Sequence, residues 1–222
     1  MSLSVLRKMI TSAALAAGLL ISGSMSVSAK IGFGSKSKAQ TEPENDIFEL
    51  SIAENVATPA IPKKSADAVL DKLKREAKRL KTAGIAVELA RGGEVLVATI
   101  GADKLFMPNS TELRQSAGNF LRPFTTLLTQ PSMWKILVVM HSDDTGSEEY
   151  VNNLTETRAE AVCAWFEALS LDTSAMVPYG CGADEPLTAN NSRLNRGANR
   201  RLELYLIPDK TMIDMAKRGL IP

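Results

Sequence analysis

The chain has one histidine, His141, and two cysteines, Cys163 and Cys181, in 222 residues. A lone histidine without a second imidazole or a thiol-rich spacing beside it gives no metal-site pattern, so no metal is expected. His141 is read instead as a structural residue at a strand end. The G-x-S-x-G, H-E-x-x-H and Cys–His signatures of common hydrolases are missing as well. Neither sign of charge is in excess: 26 Lys and Arg stand against 25 Asp and Glu, which argues against a nucleic-acid partner. Beyond the first thirty or so residues there is no apolar run long enough to cross a bilayer.

The N-terminus does carry an apolar run. Arg7-Lys8, the stretch from Met9 to Ile21 and then Val27-Ser28-Ala29 together read as a secretory signal peptide over residues 1–29, too short and too lightly flanked for a spanning helix. No cysteine precedes Cys163, so no lipid-anchored cysteine is expected at the cleavage site. Cleavage would remove two basic residues and no acids, moving the formal charge from +1 to −1. The mature chain is therefore expected to be soluble and outside the cytoplasm. Residues 30–62, rich in Ser, Lys, Thr, Pro and Glu, read as a flexible linker. Within it, Ile47-Phe48-Glu49-Leu50-Ser51-Ile52 offers the alternative of a short strand or partner-binding segment.

From Ser65 to Lys81 the apolar positions Ala66, Val69, Leu70, Leu73, Ala77 and Leu80 form one helical stripe, with Ser65 placed to cap it. The opposite face is basic, which reads as a solvated face on a docked helix or as a binder of anionic surfaces. Ile85–Leu89 and Val95–Ile100 flank Arg91-Gly92-Gly93-Glu94 and predict a hairpin. A capping box of Asn109 and Glu112 predicts a helix through Leu128, with Pro123 breaking it near Leu121-Arg122. Met176–Gly180 predicts an edge strand, because Pro178 cannot donate to a ladder. Arg201–Leu206 alternates as a half-buried strand should. Residues 209–222 are expected to be a C-terminal tail, with a short surface helix as an option. The order α-β-β-α-β-α-β-β gives an α/β sandwich with a mixed sheet and helices packed on it.

One stretch organises the rest. Lys135–Met140 is almost continuously apolar, as a strand buried on both faces should be, and it runs into His141-Ser142-Asp143-Asp144-Thr145-Gly146-Ser147. Asp143 therefore sits where a core strand becomes a loop. Ala159, Val162, Cys163, Phe166 and Leu169 recur at helical spacing, and Thr155 is placed as the N-cap. On that reading Arg158 falls in the first helical turn, beside free N–H groups and the positive end of the helix dipole. A carboxylate and a guanidinium then form a two-pole pocket suited to a zwitterion.

These residues carry a resemblance. His-Ser-Asp-Asp-Thr-Gly-Ser, Leu154-Thr155-x-x-Arg158-Ala159 and Asn199-Arg200-Arg201-Leu202-Glu203 are similar, in order and spacing, to the G-H-T-D-N-T-G, L-S-x-x-R-A and N-R-R-V-E signatures of the OmpA-like, peptidoglycan-associating domain family. The resemblance covers roughly residues 95–207 and implies a domain over residues 63–208. It implies that Asp143 and Arg158 clamp the diaminopimelate side chain of the peptidoglycan stem peptide. Thr145, Gly146 and one of Arg200 and Arg201 are the accompanying ligand-binding candidates. Departures from the pattern are Met140 for Gly, Val151 for a frequent Asn, and Met107 where Asp is common.

The resemblance thus implies a non-catalytic cell-wall anchor of a Gram-negative envelope, without a cofactor, located in the periplasm in association with the cell wall and the outer membrane. Peptidoglycan is its partner, and an outer-membrane or envelope protein is the candidate cargo of the linker. The alternatives are an envelope interaction module of the same fold that has lost the ligand, and, less favoured, an extracytoplasmic hydrolase using Asp143 and Asp144. Export also makes a Cys163–Cys181 disulfide a candidate, against two buried thiols.

Overall fold

The apolar run predicted to be the central strand is Trp134–His141, here β3, in a computed structural model that describes residues 61–90, 93–129 and 131–221. Seven of its eight residues are buried, on both faces of a five-stranded sheet. The other strands are β1 (Ala86–Ala90), β2 (Val95–Gly101), β4 (Met176–Gly182) and β5 (Arg201–Pro208), in the order β1-β2-β5-β3-β4. β3 and β4 are parallel and every other pair is antiparallel, which makes the sheet mixed. The readings of residues 1–29 as a signal peptide and of Ile47–Ile52 as a strand or partner segment lie outside the described residues, as does nearly all of the 30–62 linker. No helix among the described residues is long and apolar enough to cross a membrane.

Helix α1 (Lys63–Thr82) docks through Val69, Leu73, Ala77 and Leu80. Ser65 does not cap it. Pro62 precedes the helix, and Ser65 lies buried inside the first turn with its backbone N–H on the Pro62 carbonyl. The basic face is only partly solvated, because Arg79 donates to Glu76 at 2.7 Å and to the Pro123 carbonyl at 2.6 Å. After the hairpin, a short helix α2 (Ala102–Leu105) leads to an irregular segment. The predicted single helix is split into 3-10 turns at Gln115–Ala117 and Arg122–Leu128 around α3 (Gly118–Leu121). The break falls at Leu121-Arg122, where Pro123 was expected to force it. The capping box does not form, because Asn109 takes a positive φ of 54° and Glu112 lies outside any helix.

Helix α4 (Glu148–Glu167) crosses from β3 to β4. Its N-cap is Ser147, whose hydroxyl accepts from the Tyr150 N–H, and not Thr155. The buried stripe runs Val151, Leu154, Thr155, Arg158, Ala159, Val162, Cys163, Phe166, so two polar residues belong to it. Thr155 joins helix to sheet: its hydroxyl donates to the Val151 carbonyl at 2.9 Å and accepts from the Gly182 N–H at 3.0 Å.

Two further corrections concern the C-terminal half. β5 is buried along both faces, not one, with Leu202, Leu204 and Leu206 in the core cluster of one face and Ile207 in that of the other. The segment read as a tail contains α6 (Lys210–Lys217), which packs on the core through Met212 and Ile213, at 0% and 3% exposure. Between β4 and β5 lies α5 (Arg193–Asn199).

Alternation along the strands sorts the core into two clusters. Ile136, Val138, Met140, Leu202, Leu204 and Leu206 face one way with the α1 and α4 side chains, and Leu137, Val139, Val177 and Ile207 face the other. Cys163 belongs to the first cluster and Cys181 to the second, so the sheet separates them and no disulfide forms. Burial drives the Cys163 thiol up to about 12, helped by Glu167 and Glu160. Unfolded without reductant, the protein should therefore show two labelled cysteines, and Cys163 should resist labelling at neutral pH while folded. Mass spectrometry after alkylation checks both statements, and a lack of label on the unfolded chain would restore the bridge.

Candidate functional site

The buried end of β3 delivers Asp143 to the rim of a cleft of about 270 Å³. Its carboxylate is fixed from two sides: Oδ1 accepts from the Thr145 N–H at 2.9 Å, and Oδ2 pairs with Arg200 Nη1. Burial pushes the carboxyl upward, but the Thr145 hydrogen bonds and Arg200 outweigh it and hold it below the usual carboxylate range. Gly146 takes φ +116°, which lets the loop turn from Asp143 into α4, and a Cβ there would meet the Tyr150 ring at 3.0 Å. It shapes the loop and does not line the cleft.

Arg158 reaches the same cleft from the third turn of α4, not the first, so the helix dipole does not act on it as the sequence suggested. Its anchoring comes from elsewhere in the chain. Nε donates to the Ser110 carbonyl at 2.8 Å, Nη2 to the Met107 carbonyl at 3.2 Å, and the guanidinium lies 4.8 Å from the centre of the Phe106 ring. A guanidinium has five N–H groups, so about three remain for a ligand. Burial lowers its pKa, with Tyr150 opposing and Arg200 assisting, yet a guanidinium stays charged at any ordinary pH.

Of the two adjacent arginines, Arg200 faces the cleft, with 41% of its side chain exposed. Arg201 does not. It enters β5 with its side chain on the second face of the sheet, donating to Glu203 at 2.6 Å and to the carbonyls of Asn199 and Glu185. The candidate ligand role of Arg201 is therefore withdrawn: strand alternation sends it away from the cleft. His141 is on that second face too, 1% exposed, its Nε2 3.3 Å from Glu203 Oε2. Burial raises the Glu203 carboxyl, but His141, Tyr205 and Arg201 around it bring it down to about 2.

The structure thus brings Asp143, Thr145, Arg158 and Arg200 to one cleft. Of the opposite wall, formed by Asp103, Phe106, Met107 and Arg114, sequence reasoning singled out Met107 alone. Arg114 donates to the Phe106 carbonyl at 2.9 Å and sets the loop that Arg158 grips. An aromatic beside a buried arginine was the available signal, but no local spacing connects positions some fifty residues apart. Val151, one of the departures, is 4% exposed and is not a cleft residue, so no ligand contact is lost from the cleft through it. Three guanidiniums against two carboxylates leave the cleft net cationic.

Comparison with known proteins matches residues 105–200 to the OmpA family. Among curated proteins, the probable lipoprotein YiaD of Escherichia coli (strain K12) is 26% identical over 60% of this chain and 62% of its own length. The outer-membrane lipoprotein YfiB of Pseudomonas aeruginosa is 30% identical over 46% of this chain and 61% of its own. The chain thus spans less than two thirds of either relative. Among solved structures, the cell wall anchor of the T6SS from Pseudomonas aeruginosa superposes with a TM-score of 0.52 at 28% identity, covering 62% of this chain and 97% of that one. Residues 105–200, the stretch that carries Asp143, Arg158 and Arg200, are thus similar to the OmpA family.

Proposed function

We propose that this chain is a non-catalytic anchor of the bacterial envelope that holds peptidoglycan non-covalently, through the diaminopimelate of the stem peptide. The observation that carries the reading is the convergence of Asp143, Arg158 and Arg200 on one cleft, each fixed by the fold before any ligand arrives. The free end of diaminopimelate has an ammonium and a carboxylate on one carbon. The carboxylate meets the free N–H groups of Arg158, and the ammonium meets the outward lone pairs of Asp143. Arg200 holds Asp143 in place and adds positive charge, which suits a ligand with more carboxylates than ammoniums. The match of residues 105–200 to the OmpA family and the likeness to a cell wall anchor support the same reading. So do the outer-membrane and lipoprotein relatives for an envelope location. Export by a signal peptide over residues 1–29, a linker over 30–62, an OmpA-like domain over 63–208 and a tethered envelope protein belong to the proposal.

Acid–base catalysis fits poorly. A general acid needs a carboxyl held protonated near neutral pH, and Asp143 is driven the other way, with the Arg200 guanidinium as its neighbour. Affinity per site should be modest and should rise through the many identical stem peptides of one polymer.

Incubated with purified sacculi and centrifuged, the protein should move to the pellet, free diaminopimelate should return it to the supernatant, and no soluble fragments should appear. Equal pelleting with and without sacculi would leave an interaction module of the same fold. Release of fragments would make the protein a hydrolase.

A further inference from the structure

On the second face of the sheet, away from the cleft, His141, Cys181 and Glu185 come together with their ligand atoms within 4.8 Å of one another. We propose that these three side chains form a binding site for one divalent metal ion of borderline softness, zinc in the first instance.

The backbone prepares the pair at its base. Along β3 and β4, Met140 is paired with Gly180 and His141 with Gly182, so Cys181 is the extra residue of a β-bulge. A bulge re-aims side chains, and this one sets the Cys181 sulfur beside the imidazole. Both residues are buried, at 4% and 1% exposure, whereas Glu185 is exposed and can close over an ion from solvent.

His141 supplies an independent pointer. Neither of its ring nitrogens makes a hydrogen bond, although the ring is almost wholly buried. Such an orphan is costly unless something else uses the lone pair. Glu203 Oε2 stands 3.3 Å from Nε2 without hydrogen-bond alignment. In metal sites a carboxylate placed there takes the ligand imidazole's other N–H and fixes the tautomer, which would leave the Nδ1 lone pair for the ion. Glu203 is itself held by Arg201 and Tyr205, each at 2.6 Å.

Size and charge agree. A point equidistant from three atoms 4.8 Å apart lies about 2.8 Å from each, against zinc distances of about 2.0–2.3 Å, so each ligand would have to close by less than 1 Å. A Cys181 thiolate and the Glu185 carboxylate match a divalent charge, and the nearby Arg201 is balanced by Glu203. One N, one S and one O donor select zinc-like ions over magnesium or calcium. Three protein ligands leave a fourth position for water. Sequence spacing hides the site, because its residues are 40 and 4 positions apart and only the bulge aligns them.

The test uses the full chain, made without a polyhistidine tag and kept reduced, titrated with Co²⁺ and then Zn²⁺. One equivalent of Co²⁺ should bring up a thiolate-to-metal absorption band, and Zn²⁺ should displace it. Cys181→Ser should abolish the band and Cys163→Ser should keep it. Glu185→Gln, at an exposed position that leaves folding intact, should weaken Zn²⁺ binding about tenfold or more. If Cys181→Ser fails to fold, the Glu185→Gln titration decides. Absence of the band in the wild-type chain, its persistence in Cys181→Ser, its loss in Cys163→Ser, or unchanged affinity in Glu185→Gln would each overturn the site. None of these readouts involves sacculi, so they stand or fall apart from the cell-wall reading.

Discussion

Arg158→Ala should both destabilise the domain and abolish retention on sacculi. The side chain is 5% exposed and joins α4 to the 107–110 loop by two hydrogen bonds and a cation–π contact. Hydrogen bonds from a charged group are worth about 1.5–3 kcal/mol each, and the ring contact adds about 1 kcal/mol. Water can reach the freed carbonyls and recover part of this, so the expected loss is about 2–4 kcal/mol, or roughly 5–10 °C in Tm for a domain of this size. Arg158→Lys should recover about half of the stability, since one ammonium can reach one carbonyl but cannot form the planar fork. Its sacculus binding should nevertheless fall almost as far as that of Arg158→Ala. Arg200→Ala gives the contrast. Arg200 is partly exposed and pairs with Asp143 alone among the described contacts, so its removal should cost about 1 kcal/mol or less while weakening sacculus binding clearly. Thermal unfolding and co-sedimentation on the same samples separate the two effects. A folded Arg158→Lys protein that pellets like wild type would remove Arg158 from the ligand contacts.

These variants also show what the sequence could and could not disclose. Lys135–Met140 announced a two-sided core strand because nothing polar interrupts it, and β3 is that strand. Arg201–Leu206 announced a half-buried strand because Glu203 falls between leucines. Yet Glu203 is buried against Arg201 and Tyr205 of its own strand and His141 of β3, a set of partners visible only once the two strands are aligned. The start of α4 was misplaced for a related reason. Ser147 and Thr155 are equally good caps by residue type, and a stripe that includes Thr155 and Arg158 does not look apolar. Asn109 failed as a cap because asparagine also tolerates the left-handed conformation, which it adopts here. Asp143 and Arg158 were legible through their motifs, but the partners that fix Arg158 lie 48 and 51 residues away. Periodicity reports which face of an element is buried. It says nothing about which distant loop closes over that face.

Gly180→Ala should be the most damaging single substitution in the sheet. A strand reading of Met176–Gly180 gave no reason for glycine at its end, and its backbone is not in the left-handed region. The reason is proximity. A Cβ at position 180 would collide with the backbone nitrogen of Glu156 and lie 2.6 Å from its Cα. No side-chain rotation can relieve a clash with main chain, so α4 would have to move off β4 by about 1 Å to restore ordinary contact. That movement pulls on the Thr155–Gly182 hydrogen bond and opens the packing of Ala159 and Val162 against the sheet. The expected cost is about 3 kcal/mol or more, at the upper end of overpacking effects. Gly84→Ala is the control: its φ of +81° imposes strain, but nothing lies within 4 Å, so about 1 kcal/mol is expected. The consequence reaches the cleft, because Arg158 follows Glu156 by two residues and moves with it. At temperatures where Gly180→Ala is still folded, it should therefore hold sacculi more weakly than wild type, and Gly84→Ala should not. Urea unfolding midpoints and co-sedimentation measure both. A Gly180→Ala midpoint no lower than that of Gly84→Ala would mean that α4 and β4 do not approach as closely as described, and the placement of Arg158 over the cleft would lose its support.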